Sequence, residues 1–126
     1  MKEDFVPYEL AKKLKEKGYP QHIADDAYIV DNDGEDEYNI GERLPIPLIP
    51  DYMDVVSAPT ISQVLKWLRE EKKIHIHIEY IFTETCEYDC EVQIINSYER
   101  FYPYGDFDTY EESALTGIEY ALDNLL

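Results

Sequence analysis

Residues 59–126 change their hydrophobic spacing twice, and these changes are the feature that most limits what the chain can fold into. Residues 61–68 repeat apolar side chains at the spacing of one helix face, namely at Ile61, Val64, Leu65 and Leu68. Residues 74–82 then alternate apolar and polar side chains, a pattern typical of a half-buried strand. A second alternating segment follows, and residues 110–124 return to helical spacing, so the order predicts a helix–strand–strand–helix unit.

The predicted fold class is α+β, with a small antiparallel sheet packed with about three helices. The sheet is centred on residues 74–82 and 89–97, joined as a hairpin. The helices are expected near residues 8–17, 61–72 and 110–124.

One local signal supports the last helix, and one residue inside it disfavours helix formation. Thr109 and Glu112 have the spacing of an N-terminal capping box. Gly117 lies inside the helix, where glycine costs about 1 kcal/mol relative to alanine. We therefore expect Gly117 to pack closely against a neighbouring backbone.

A chain of 126 residues suits one domain, so a single domain over residues 1–126 is expected. Within it, residues 1–56 are predicted to form an N-terminal helix plus an irregular or hairpin segment, and residues 57–126 the helix–hairpin–helix core. The N-terminal helix is expected at Pro7–Lys17, and Gly18 suits a left-handed C-cap.

Residues 20–56 give weaker signals. Ala27–Val30 and Glu37–Ile40 have the pattern of two short strands around a turn at Asp31–Gly34. The prolines of residues 44–50 exclude a helix or a central strand, because they remove backbone donors at close intervals. This segment is predicted to be an extended apolar connection laid across the core.

Acidic residues dominate the composition, with 28 acidic and 11 basic residues and a formal net charge of −17. Such a surface repels nucleic acids and anionic membranes unless basic residues are segregated into a patch. The candidate basic patch is the first helix, with Lys12, Lys13, Lys15 and Lys17, and two glutamates weaken it. We therefore expect neither direct nucleic-acid binding nor membrane binding.

The sequence also bears on location and redox state. No apolar run approaches the ~18 residues of a membrane span, and the N-terminus lacks the apolar segment of a signal peptide. Cys86 and Cys90 are too few for a disulfide framework, and three residues separate them rather than the two of a redox or zinc pair. A soluble cytoplasmic protein is expected.

Three segments carry a family resemblance: Phe5–Ala11 with the lysine run that follows, Ala58–Gln63 continuing through Trp67–Arg69, and Phe107–Glu112. In these segments the chain resembles small uncharacterised proteins encoded by phages and prophages of gut Bacteroidetes. The resemblance covers both ends of the chain and brings no known activity or site residues. It implies a phage-associated accessory protein in the bacterial cytoplasm.

The candidate metal site consists of His75, His77 and Glu79, at alternate strand positions. Alternate residues project from one face of a strand with Cα atoms about 6.5–7 Å apart. Two imidazoles and a carboxylate could hold Zn²⁺ and leave a position open for water. A further ligand could come from across the hairpin, from Cys86, Cys90 or Glu91. A polar, half-exposed sheet face produces the same alternation and is the favoured interpretation.

The connection before the last helix is rich in aromatic residues, namely Tyr98, Phe101, Tyr102, Tyr104 and Phe107. Tyrosine is enriched at protein interfaces because it presents a large area at low entropy cost. These residues are the candidate interface, although part of them could instead cap the sheet.

The leading functional hypothesis is a non-enzymatic, phage-associated acidic accessory protein that binds an unidentified protein partner or forms a homo-oligomer. No cofactor is expected. Two alternatives stay open. The acidic surface could mimic a nucleic acid and inhibit a host DNA- or RNA-binding protein, or the histidine pair could serve a metal-dependent hydrolase.

Overall fold

The computed structural model describes residues 4–21, 25–31, 39–49 and 53–126. In these ranges the chain forms three α-helices and two three-stranded antiparallel sheets, which confirms the α+β class. The chain divides into two compact units, of which the first ends at Thr60 and the second is Ile61–Leu126.

The described part of the first unit has a three-stranded sheet and one α-helix. Its elements are α1 (Tyr8–Glu16), β1 (Asp26–Asp31), β2 (Arg43–Pro45), a 3-10 helix (Ile46–Leu48) and β3 (Asp54–Ser57). The central strand β1 is antiparallel to both β2 and β3. Ala27, Tyr28 and Ile29 are consecutive and all buried, so both faces of β1 are covered.

Helix α1 ends at the glycine that the sequence predicts. Gly18 has a φ of +94°, a left-handed conformation that glycine adopts without steric cost. Its amide donates to the carbonyl of Lys15 at 3.1 Å, and the Tyr19 amide donates to the carbonyl of Leu14 at 2.9 Å. These two bonds make a Schellman motif, which directs the buried Tyr19 side chain back to the unit.

The predicted hairpin after α1 is wrong where the structure describes it. Ala27–Val30 lies in a strand, but Ile40 lies in a turn, and β1 pairs instead with Arg43–Pro45. Residues 32–38, which hold the predicted turn, lie outside the described residues. Pro45 is compatible with β2 because β2 is an edge strand. A proline there can direct its missing backbone donor away from the neighbouring strand.

The following proline-rich segment does not cover the core. None of residues 44–49 is buried, and Leu48 is 64% exposed. Pro47 lies within the short 3-10 helix. The prediction that the prolines exclude a helix in this segment is therefore wrong for this single turn. A single 3-10 turn uses few backbone donors, so it accepts a proline that a longer α-helix would not.

The second unit matches the predicted helix–strand–strand–helix order. Its elements are α2 (Ile61–Glu71), β4 (Ile74–Tyr80), β5 (Tyr88–Ile94), β6 (Arg100–Phe101) and α3 (Tyr110–Asn124). The sheet order is β4–β5–β6, and β4 pairs with β5 from Ile74 opposite Ile94 to Tyr80 opposite Tyr88. The sequence reasoning missed β6, a two-residue strand inside the aromatic connection.

Thr109 caps α3 as predicted. Its Oγ1 accepts a hydrogen bond from the Glu112 amide at 3.1 Å. The Glu112 carboxylate accepts from the Asp108 amide at 3.1 Å, one residue earlier than in a capping box.

Gly117 lies where α3 meets the sheet. A Cβ atom on Gly117 would be 2.8 Å from both the Cys90 Sγ and the Ile76 Cγ2 atoms. The predicted close packing is confirmed, but the neighbours are side chains rather than backbone. Ile76, Cys90 and Gly117 are all buried, so this contact lies inside the core of the second unit.

We expect Gly117→Ala to lower the free energy of unfolding by about 1–2 kcal/mol, because overpacking outweighs the gain in helix propensity. Urea denaturation followed by circular dichroism measures the change. Cys90→Ala removes one of the two opposing atoms, so it should cost less in the Gly117→Ala background than in the parent chain. A Gly117→Ala chain more stable than the parent would contradict the close contact.

Candidate functional site

One face of the second sheet carries the residues of the predicted metal site. On β4 these are His75, His77 and Glu79, and opposite them on β5 lie Gln93, Glu91 and Asp89. Opposite residues of an antiparallel pair share a face, so the register gathers six polar side chains. His75 is half-buried, whereas His77 and Glu79 are exposed. The favoured interpretation of this pattern, a polar half-exposed sheet face, describes these strands.

Other partners engage the carboxylate opposite His77. The Glu91 Oε1 atom accepts hydrogen bonds from Arg100 Nη1 at 3.0 Å and from Gln93 Nε2 at 2.9 Å. The ring centroids of His75 and His77 are 6.3 Å apart. Among the residues that the structure describes, no group of three or more His, Cys, Asp or Glu side chains could hold a metal ion. The geometry therefore gives the hydrolase alternative no support.

Both cysteines are free, and they lie in different surroundings. Cys86 is half-buried in the hairpin loop, with its Sγ atom 3.4 Å from the Thr83 hydroxyl. Cys90 is fully buried, and burial raises the pKa of its thiol to about 11, although a hydrogen bond with Ser113 acts in the opposite direction. A buried, protonated thiol is a core residue rather than a nucleophile or a metal ligand.

Residues 98–108, the tyrosine connection, hold the predicted interface. Tyr98 and Tyr104 are fully exposed, and Tyr102 is 64% exposed. Phe101 is half-buried and packs against Tyr120, with ring centroids 5.6 Å apart. Phe107 is 6% exposed, so its assignment to the interface is wrong: its ring belongs to the core. The candidate interface is therefore carried by the three exposed tyrosines.

Backbone hydrogen bonds hold the tyrosine connection near both ends. Arg100 and Phe101 pair with β5 as the strand β6. The carbonyl of Phe107 accepts from the amides of Glu87 and Tyr88, both at 3.0 Å. The exposed tyrosines thus project from a backbone tied to the sheet, which lowers the entropy that a binding partner must overcome.

The charge of the C-terminal part of the chain, which contains this connection, is mainly negative. Residues 74–126 contain twelve acidic residues and a single lysine or arginine, Arg100. Arg100 is already paired with Glu91. The resulting negative potential attracts cationic surfaces and repels anionic ones.

Sequence reasoning missed a second aromatic surface. Tyr80 and Phe82 continue the alternation of Ile74, Ile76 and Ile78 along β4, so the spacing assigns them to the same face of the strand as these isoleucines. In the structure they are 61% and 68% exposed. The first turn of α3, Tyr110–Ser113, has no aliphatic side chain that could cover the end of the sheet, and this signal could have revealed the exposure.

Comparison with known proteins assigns no family. No protein-family model, curated protein or solved structure matches the chain. The resemblance to phage proteins stays a prediction. Within the described ranges, none of the helices has both the length and the apolar character needed to cross a membrane.

The half-buried His75 makes stability depend on pH. Burial is the largest cause that lowers its pKa below 6.5, followed by the charges of His77 and Arg69, while Glu91 acts in the opposite direction. Folding therefore favours neutral His75. Its contribution to stability is complete above pH 6.5 and is lost as the pH falls from 6.5 through the lower pKa of the folded state. We expect urea unfolding to show a shallower loss of stability below pH 6.5 for His75→Gln than for the parent chain.

An NMR titration of the imidazole signals supplies the direct measurement. The His75 signal should titrate below pH 6.5. The control His77→Gln removes a neighbouring positive charge, and it should raise the pKa of His75 toward its ordinary value. Titration of His75 at or above 6.5 in the parent chain would be inconsistent with the structure.

Proposed function

We propose that this chain is a non-enzymatic, phage-associated acidic protein that acts through protein–protein contacts. The observation that carries the proposal is the exposure of Tyr98, Tyr102 and Tyr104 on a connection that is tied to the sheet at both ends. The bacterial cytoplasm is the proposed location, on the basis of the resemblance to phage proteins.

Packing within the chain does not account for these tyrosines. A fully exposed ring buries no apolar area, so Tyr98 and Tyr104 add nothing to the hydrophobic stabilisation of the unit. Tyrosine rings that become buried against a partner are common energetic centres of interfaces, because they combine a large apolar area with a hydroxyl group. Binding a partner gives these rings a physical role.

The charge of the same segment favours a basic partner. Twelve acidic residues against one arginine in residues 74–126 provide attraction over a distance of about 10 Å at moderate salt. Such attraction speeds association and rejects acidic competitors, while the buried rings supply affinity that salt does not screen. The combination favours a basic protein surface with apolar pockets.

The same charge also favours a second candidate, a nucleic-acid mimic. An acidic face can occupy the basic groove in which a host enzyme binds phosphates. Binding of that kind depends mainly on charge, so its affinity falls steeply with salt. Binding through the tyrosines falls less steeply, and salt dependence therefore separates the two candidates.

The test is recovery of host proteins from a lysate on the tagged full chain, at low and high salt, with mass spectrometry of the eluates. The double substitution Tyr102→Ala/Tyr104→Ala should reduce recovery of a specific partner at least tenfold, since two truncated interface tyrosines cost about 1–2 kcal/mol each. The matched control Leu48→Ala removes an apolar residue that is also 64% exposed but lies in the first unit, and it should leave recovery unchanged.

Three other results would redirect the proposal. Recovery that is equal for the double variant and the parent would contradict the role of the tyrosines. A basic nucleic-acid enzyme retained at low salt and released at high salt, whatever the tyrosines, would favour the mimic. Recovery of no host protein would point to a chain that self-assembles or that binds a phage partner, and sedimentation of the same variants then measures self-association.

A further inference from the structure

The apolar face of the second sheet extends beyond the part that the helices bury. Along β4, the residues on that face are Ile74, Ile76, Ile78 and Tyr80. Ile74 and Ile76 are 3% and 8% exposed, whereas Tyr80 at the end of the strand is 61% exposed. The buried core therefore ends before the strand pair does, and the uncovered end is aromatic.

Four rings form a continuous row at this end, here called the aromatic ladder: Phe82, Tyr80, Tyr88 and Tyr110. The successive ring centroids are 6.3, 5.4 and 6.4 Å apart. Phe82 and Tyr80 are stacked, and the other two contacts are edge to face. Tyr88 is half-buried, and the other three rings are 68%, 61% and 43% exposed in the order of the row, so much of the ladder faces solvent.

The loop next to the ladder fixes the position of Phe82. Phe82 has a φ of +43°, which a bulky side chain rarely adopts and which persists only where the surroundings enforce it. The Thr83 amide donates to the Cys86 carbonyl at 2.7 Å, and the Thr83 hydroxyl accepts from the amides of Thr85 at 3.3 Å and Cys86 at 3.0 Å. These bonds hold the loop in the conformation that keeps the exposed Phe82 ring beside Tyr80.

In the sequence, the residues of the ladder are flanked by acidic residues and not by lysine or arginine. Glu79, Glu84, Glu87 and Asp89 are all exposed and lie on the strands and the loop that carry three of the four rings. Of these, Glu79 and Asp89 belong to the polar face of the sheet, on the side away from Tyr80 and Tyr88. Residues 74–99 contain neither lysine nor arginine. An apolar surface with this charge around it is complementary to a cation with a planar or apolar body.

We propose that the aromatic ladder binds arginine and lysine side chains of a basic polypeptide segment. Ring faces attract cations through their quadrupole, and arginine can also stack on them. The acidic side chains of this part of the chain attract the same cations at longer range. The proposal rests on the proposed function, binding to a basic protein, but it assigns the contact to a surface separate from the tyrosine connection.

Charge argues against two other occupants. A second copy of the chain would bring the same group of carboxylates against itself, which opposes self-association through the ladder. A nucleic acid could stack on the rings, but its phosphates would meet the acidic side chains without a compensating base. A basic polypeptide satisfies both the rings and the carboxylates.

The test uses a fluorescein-labelled peptide of four Gly-Arg repeats and measures its binding to the full chain by fluorescence anisotropy. The variant Tyr80→Leu/Phe82→Leu keeps apolar side chains and charge but removes two ring faces. It should bind the peptide about 5- to 30-fold more weakly, as expected for the loss of two cation–π contacts. The matched control Ile40→Ala/Leu48→Ala truncates two apolar side chains of the first unit that are 61% and 64% exposed, and it should bind like the parent chain.

Two further variants strengthen the test. Phe82→Leu alone changes a side chain that is 68% exposed and should weaken binding in the same direction, so a folding defect of the double variant would not end the test. Glu84→Gln/Glu87→Gln retains the rings and should weaken binding at 50 mM salt more than at 500 mM salt, because salt screens the carboxylates.

The proposal is overturned if the parent chain does not bind the peptide, or if Tyr80→Leu/Phe82→Leu binds it as the parent does. It is also overturned if sedimentation shows a dimer of the parent that Tyr80→Leu/Phe82→Leu abolishes, since the occupant is then a second copy. The lysate experiment separates this failure from failure of the proposed function. Loss of a partner in Tyr102→Ala/Tyr104→Ala but not in the ladder variants would retain the function and remove the ladder from it.

Discussion

The approach of Gly117 to Ile76 and Cys90 sets the arrangement of the second unit. Because no side chain separates α3 from the sheet at this point, the helix lies directly on the central strand β5 and its neighbour β4. The sheet then has one face packed under helices and one face left to polar residues. The surfaces described above follow from this one-sided cover.

The cover is shorter than the strands it protects. The first turn of α3 carries Glu111 and Glu112, which are used near the helix N-terminus rather than in the core. At the hairpin end of the strand pair, Tyr80 and Tyr88 consequently pack against aromatic rings instead of aliphatic side chains. The tyrosine connection returns along the same strand pair, because the carbonyl of Phe107 bonds to the amides of Glu87 and Tyr88. The packing and the aromatic exposure at this end of the sheet therefore depend on where the last helix begins.

Elements with a long regular period could be predicted from the sequence. The helices near 61–72 and 110–124 and the strand from Ile74 agree with the structure within one or two residues, because each buries a face that its own spacing reveals. The three-residue strand β2 could not be predicted. It contains Pro45, and its pairing with β1 depends on tertiary context rather than on a local pattern.

Side-chain exposure was harder to predict than secondary structure. Phe107 and Tyr104 belong to one aromatic connection, yet one is buried and the other fully exposed. Tyr80 continues the alternation of Ile74 and Ile76 but lies beyond the helix that covers them. Period two assigns a residue to a face of the sheet, but only the length of the opposing helix determines whether that face is covered. The polar face with His75 and His77 was predictable because alternation alone defines it.

The position of Cys90 gives the second unit a built-in reporter of its own opening. Its thiol is fully buried, whereas Cys86 in the hairpin loop is half-buried. A small alkylating reagent therefore meets one accessible thiol in the closed protein and a second only when α3 lifts from the sheet. The rate at which the second thiol becomes labelled equals the opening equilibrium constant multiplied by the intrinsic reaction rate, as long as closing is faster than labelling. Alkylation of Cys90 thus measures, without any added probe, how often the core of the second unit opens.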